Sequence, residues 1–244
     1  MELIVLGIYA PYPAPEGACP GYLIKHKGES WLLDCGSGTV SRLTVFCPIT
    51  DLTGVILSHL HTDHISDVWI LGNAIYRYTL HRKLKNSVYL LLPDEPEKEY
   101  NSIILNRTCF SITHINEDLK PPSKMNISFK KVNHPYTCYA TKIEADGKVF
   151  VYTGDTAYLE SLVDFCKGAD LLLCEAGVPP STNRPNDEYH IQTYQAAEIA
   201  KKAKVKKLLL THFSPDVRPQ EYLKETRGIF TNTELATENR SYYV

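Results

Sequence analysis

Three of the nine histidines stand within six residues, in the run His59-Leu60-His61-Thr62-Asp63-His64. The stretch before it, Thr53-Gly54-Val55-Ile56-Leu57-Ser58, is strand-like, and Ile65–Leu71 after it is an apolar, helix-like run. An extended chain points residues 59 and 61 to one side, so two imidazoles converge on one cation. If a helix then begins, Asp63 and His64 turn toward a neighbouring point a few ångströms away. Imidazole and carboxylate suit zinc, manganese or iron, and two such points side by side make a two-metal clamp. The competing reading is a polar surface loop with chance histidines. The strand before the motif and the helix after it favour the metal.

Such donors need rigid elements to aim them. Short apolar runs recur along the chain: Leu3–Leu6, Trp31–Leu33, Val55–Leu57, Val149–Tyr152, Leu171–Leu173 and Leu208–Leu210. They read as strands, several buried on both faces. Apolar residues at helical spacing (Ile191, Tyr194, Ala197, Ala200, Ala203) predict a helix over Ile191–Lys204, feeding the strand-like Lys206–Thr211. A helix leading into a strand is a unit of layered α/β architecture. The stretch from Asn73 to Lys131 has weak periodicity and reads as helices with a covering loop. No linker divides the chain, which predicts one domain over residues 1–244.

Composition bounds the partners. The 244 residues are 43% hydrophobic and 22% charged, ordinary for a globular protein with a substantial core. Lys and Arg total 26 against 28 for Asp and Glu, so no overall basic field attracts a polyanion. The amino terminus lacks a basic signal region, and no apolar run is long enough to span a membrane. Seven cysteines stand singly with no C-x-x-C pair, as expected of reduced thiols in a cytoplasmic protein.

The run His59–His64 resembles the signature of the metallo-β-lactamase superfamily, and further landmarks follow in order. His134 lies in Val132-Asn133-His134-Pro135, Asp155 in Thr153-Gly154-Asp155-Thr156, and His212 in Thr211-His212-Phe213-Ser214. The resemblance covers roughly residues 3 to 214 and implies an α/β fold, the four-layer αββα sandwich. It also implies two divalent metal ions, zinc first, with manganese or iron compatible. His59, His61 and His134 would hold one ion, Asp63, His64 and His212 the other, and Asp155 would bridge them. The residues agree in one respect: four separate strand ends deliver a histidine or aspartate, where ligand sites of α/β sheets gather. Asp34, in Leu33-Asp34-Cys35-Gly36, matches another landmark, either orienting a ligand histidine or simply forming a turn.

The segment His190-Ile191-Gln192-Thr193-Tyr194-Gln195 and the run Val205–Pro215 resemble ribonuclease Z and its small relatives. In that branch the histidine opening the helix faces the metals. A protonated imidazole there would neutralise charge on a scissile phosphate and protonate the leaving oxygen, aided by the helix N-terminus. One departure stands out. Where ribonuclease Z carries a long arm that grips tRNA, only Pro135 to Gly154 separate His134 from Asp155, enough for a strand pair and the turn Asp146-Gly147. Tight tRNA binding is therefore not expected.

The expected activity is hydrolysis of a phosphodiester in a small or medium-sized substrate. A metal-bridging hydroxide attacks, Asp63 takes its proton and His190 serves the leaving group. An ester, sulfate-ester or lactone substrate fits the same donors. A non-catalytic metal-binding scaffold fits less well, because every donor position is filled. The resemblance also suggests a homodimer. Substrate choice is expected in residues 73–131 and in the Val178–Glu188 loop, where Arg184 reads as a solvated arginine.

Overall fold

The computed structural model describes residues 1–84, 87–105, 110–178, 188–226 and 228–244. Two compact units divide the chain, residues 1–115 with 238–243, and residues 116–237. Each is built on one mixed sheet.

The first unit opens with an antiparallel meander, β1 (Glu2–Gly7), β2 (Gly21–His26) and β3 (Glu29–Leu33). Lys27 and Gly28 both take positive φ, 45° and 82°, in the two-residue turn between β2 and β3. That left-handed pair matches the right-handed twist of the strands. Three strands then add in parallel: β4 (Gly54–Ile56), β5 (Val88–Leu92) and β6 (Phe110–His114). Parallel neighbours need crossovers. These are supplied by α1 (Thr39–Phe46), by the short α2 (Thr62–Ile65) with α3 (Val68–Leu80), and by α4 (Glu97–Ile104). The chain's last strand, Ser241–Tyr243, pairs on the outer side of β1.

The second unit repeats the plan. β7 (Asn126–Val132), β8 (Cys138–Ala145) and β9 (Lys148–Tyr152) run antiparallel. Asp146 and Gly147, at φ 49° and 74°, make the expected turn between the last two. Then β10 (Leu171–Glu175), β11 (Leu208–Thr211) and β12 (Thr233–Leu235) add in parallel. α5 (Glu160–Phe165) connects β9 to β10, α6 (Thr193–Lys202) connects β10 to β11, and α7 (Pro219–Tyr222) precedes β12. The Ser241–Tyr243 strand is thus β13.

The apolar runs read from the sequence are β1, β3, β4, β9, β10 and β11, with nearly every residue buried. The helix expected over Ile191–Lys204 is α6. A capping box between Gln192 and Gln195 delays its start to Thr193, and Lys204 at φ 55° ends it. Residues 73–131 differ from the expectation of helices and a loop. They hold the rest of α3, α4 and the first residues of β7, but also the two strands β5 and β6. Val88–Leu92 is a five-residue buried run of the kind periodicity cannot assign alone, and β6, at the sheet edge, is only half-buried.

Six cysteines are described, all buried and free. Burial pushes the Cys166 thiol up to about 12, so it stays protonated. No helix among the described residues is long and apolar enough to cross a membrane.

Candidate functional site

In the first unit the donors lie just beyond the carboxyl end of β4, and Asp34, which orients them, lies just beyond that of β3. The chain leaves β4, remains extended through His61 (φ −67°, ψ 148°), and enters α2 at Thr62. This is the extended-then-helical path the motif predicted. His59 Nε2 and His61 Nδ1 face each other at 3.0 Å. Two nitrogens on one tetrahedral zinc at 2.0–2.1 Å would lie about 3.4 Å apart, so this spacing is close to a ligand pair. Asp63 Oδ2 lies 3.6 Å from His64 Nε2. Gly36 makes room for the Asp63 backbone: a Cβ at residue 36 would fall 1.9 Å from the Asp63 carbonyl oxygen.

Asp34 organises this group. It sits wholly buried directly after β3 at φ 56°, a left-handed conformation that aspartate tolerates better than most residues. Its Oδ1 accepts the Ser58 backbone N–H at 2.7 Å. Its Oδ2 accepts the Ser58 hydroxyl at 2.9 Å and His64 Nδ1–H at 2.8 Å. With its proton committed to Asp34, the Ser58 oxygen accepts from His59 Nδ1 at 3.1 Å. Both imidazoles are thereby held as the Nδ1–H tautomer with Nε2 left as a lone-pair donor. Asp34 is thus the orienting residue rather than a plain turn. Asp34→Ala is expected to weaken zinc affinity by about 10- to 100-fold, measured by competition with a chelating dye.

Cys19 lies beside this group. Burial, reinforced by the Asp63 carboxylate, pushes its thiol up to about 12.

In the second unit the ends of three strands and the approach to α6 contribute. His134 follows β7 and donates Nδ1–H to the Tyr189 carbonyl at 3.0 Å, which again leaves the lone pair on Nε2. Asp155 follows β9, and its Oδ2 lies 3.0 Å from Nε2 of His212, which follows β11 at φ 66°. His190 precedes α6, with its Nδ1 4.0 Å from Asp155 Oδ2. Its ring lies 5.3 Å from that of His134 and 5.4 Å from that of His212. Asp155, His190 and His212 form a group able to hold a metal ion.

Sequence reasoning placed His190 at the opening of the helix. The structure places it two residues before the N-cap Gln192, in the segment bridged to Val178, so its position is fixed by a carboxylate instead. That carboxylate is Glu175, the last residue of β10, which sequence reasoning missed. Glu175 Oε1 accepts the Thr156 N–H at 2.8 Å and His190 Nδ1–H at 3.1 Å, while Oε2 accepts the Gly177 N–H at 2.8 Å. A Cβ at Gly177 would come within 2.9 Å of both Glu175 Oε2 and His190 Nδ1, so the glycine lets the pair meet. The available signal was a lone carboxylate closing the otherwise apolar β10. Arg184 and the Pro179–Arg184 loop lie outside the described residues.

Burial opposes a proton on His190, but the Glu175 charge and hydrogen bond, with Asp155 behind them, outweigh it and raise its pKa above the usual histidine value. His134 goes the other way. Burial, with the His190 charge adding to it, outweighs Asp155 and the Tyr189 carbonyl, so its pKa falls. A neutral imidazole is the metal-ligating form and a protonated one the acid, so the two rings are electrostatically distinguished.

The donors suit a divalent metal. His59, His64 and His134 each have Nδ1 in a hydrogen bond, which leaves the lone pair on Nε2, and carboxylates accompany them in both units.

The sequence profile of the β-lactamase superfamily domain matches residues 30–213. The chain is 31% identical to a probable metallo-hydrolase, YhfI, of Bacillus subtilis over 94% of each chain. The crystal structure of that metallo-β-lactamase fold protein superposes with a TM-score of 0.92 at 30% identity, covering 99% of this chain and 98% of the other. A ribonuclease Z of Clostridioides difficile is 28% identical over 99% of this chain and 97% of its own. The α/β fold with two sheets is therefore the αββα fold of these proteins, and the chain belongs to the metallo-β-lactamase superfamily as one of its hydrolases.

Proposed function

We propose that this chain, acting as one domain over residues 1–244, is a two-metal phosphodiesterase of small or short substrates. His59, His61, Asp63, His64, His134, Asp155 and His212 hold the ions, as the resemblance implies, with zinc the expected metal. Bound divalent ions supply Lewis-acid charge and make water available as a nucleophile near neutral pH. Asp63 accepts the proton of the attacking water. His190, held by Glu175, faces the phosphoryl group as a cation and gives its proton to the leaving oxygen.

The observation that carries this reading is the His190–Glu175 pair at 3.1 Å. A metal-held ester or lactone carbonyl needs no second cation beside it, whereas a phosphodiester brings a charge of its own. The short β8–β9 hairpin and the net charge of −2 favour a small substrate over folded tRNA.

Hydrolysis of bis(p-nitrophenyl) phosphate by zinc- or manganese-loaded protein tests it, beside His190→Ala. Turnover that collapses in the variant supports phosphodiester chemistry. No turnover with two equivalents of metal bound overturns it and directs the search to sulfate esters, carboxylic esters and lactones.

We further propose a homodimer, which the resemblance to ribonuclease Z suggests, in the cytoplasm, which the singly spaced cysteines suggest. The surface we assign to it is α3, which leaves Ile70, Tyr76 and Leu80 exposed at 56%, 48% and 61%. Apolar side chains gathered on one helix are the usual material of a self-association face. Leu80→Glu is expected to convert a dimer to a monomer in light scattering coupled to size-exclusion chromatography.

A further inference from the structure

Asp155 is carried in the segment Thr153-Gly154-Asp155-Thr156, between the end of β9 and α5, and both threonines are wholly buried. Neither hydroxyl has a part in the chemistry above, yet both are bonded in the same pattern. Thr153 donates to the Gly154 carbonyl at 2.7 Å, and its oxygen accepts the Glu175 backbone N–H at 3.1 Å. Thr156 donates to the Ala157 carbonyl at 2.7 Å, and its oxygen accepts the Asn133 backbone N–H at 3.2 Å. A hydroxyl has one proton and two lone pairs. Giving the proton to the next residue's carbonyl leaves the oxygen as an acceptor for another part of the chain.

The two bonds differ in what they add. β10 lies beside β9 in the sheet, and the ladder already joins their ends, with the Thr153 N–H on the Leu173 carbonyl at 3.1 Å. β7 lies two places from β9, with β8 between them, so no ladder bond can join those two ends. The chain after Asp155 supplies the missing tie. Asn133, the residue before His134, gives its N–H to Thr156 and takes the Ala157 N–H on its carbonyl at 2.9 Å. Both peptides of Asn133 are thereby held, which fixes the direction in which His134 leaves β7. The Thr156 N–H goes to Glu175 Oε1, the atom that also accepts His190 Nδ1–H. One buried residue therefore adjoins Asp155, braces the approach to His134 and shares an acceptor with His190.

We propose that Thr156 is a positioning residue, whose hydroxyl sets His134 against Asp155 and so shapes the seat the two offer a metal ion. It is not itself a ligand and acts through Asn133. The assignment rests on the metal ligands proposed above and on no particular substrate.

Zinc affinity of the full chain, measured by competition with a chelating dye, tests it in wild type, Thr156→Val, Thr156→Ser and Thr153→Val. Valine keeps the shape and removes the oxygen, whereas serine keeps the oxygen and removes a buried methyl group. Thr156→Val is expected to weaken zinc binding by about tenfold or more, and Thr156→Ala, which also lacks the oxygen, should match it. Thr156→Ser should stay within about threefold of wild type because the acceptor for the Asn133 N–H remains, although the lost methyl lowers its melting temperature. Thr153→Val loses the same kind of buried bond on the laddered side. It should lower the melting temperature and leave zinc affinity within about threefold of wild type. Zinc affinity that simply follows melting temperature across these variants would make Thr156 a structural residue only and overturn the proposal. So would wild-type affinity in Thr156→Val. A wild type that holds fewer than two equivalents of zinc would instead overturn the two-metal reading, and this assignment with it.

Discussion

Asp63→Asn is expected to lower kcat for bis(p-nitrophenyl) phosphate by about a thousandfold or more while the protein still binds metal. Asparagine has nearly the same shape and keeps one oxygen for coordination, so the tight seat against Gly36 and the start of α2 are undisturbed. What is lost is a negative charge and the capacity to take a proton. Removing a positioned base costs about 10²- to 10⁴-fold, and weaker electrostatic support for the metal adds to that. Metal per chain, measured by mass spectrometry beside kcat at saturating metal, separates the two contributions. Turnover equal to wild type at full metal loading would remove Asp63 from the role of base.

His190→Ala is expected to produce the second largest loss, and its size should depend on the leaving group. For an alkyl or nucleoside diester, whose alkoxide is a poor leaving group, loss of the proton donor should cost about 10²- to 10⁴-fold in kcat. For p-nitrophenyl esters the departing phenolate is already stable, so the remaining cost reflects the missing positive charge, about 10- to 100-fold. Equal losses on both substrates would leave His190 with charge neutralisation alone. Glu175 acts through His190 as a positioning residue. Glu175→Gln keeps a hydrogen-bond acceptor at the 3.1 Å contact but removes the charge, and about a tenfold lower kcat at unchanged KM is expected. In a His190→Ala background the same change should have little further effect, because the two act as a unit. A purely structural role for Glu175 would show the full loss in both backgrounds.

The strands that deliver His59, Asp155 and His212 were legible because each is a short apolar run ending in a polar cluster, and burial on both faces permits little else, whereas β7, which delivers His134, alternates buried and exposed residues and was not among those runs. The bend from extended to helical backbone after His61 was legible for the same reason. β5 and β6 were not. Leu90-Leu91-Leu92 has no alternation to mark it as strand, and its neighbours Pro93 and Pro96 suggested a loop. Glu175 escaped because nothing in sequence places a strand-terminal carboxylate beside a histidine fifteen positions later. The role of Asp34 was half visible. A residue before Cys35-Gly36 is as readily a turn aspartate, and only the folded chain shows one carboxylate reaching both Ser58 and His64.

That shared carboxylate has an evolutionary cost and benefit. Because Asp34 orders His64 directly and His59 through Ser58, no substitution at residue 34 can adjust one imidazole and spare the other. Drift at this position is punished twice, so the two rings inherit a common fate. Ser58, by contrast, serves only the His59 branch of the relay while its backbone N–H steadies Asp34 whatever the side chain. Laboratory evolution toward a different metal should therefore accumulate changes at residue 58 well before it touches residue 34.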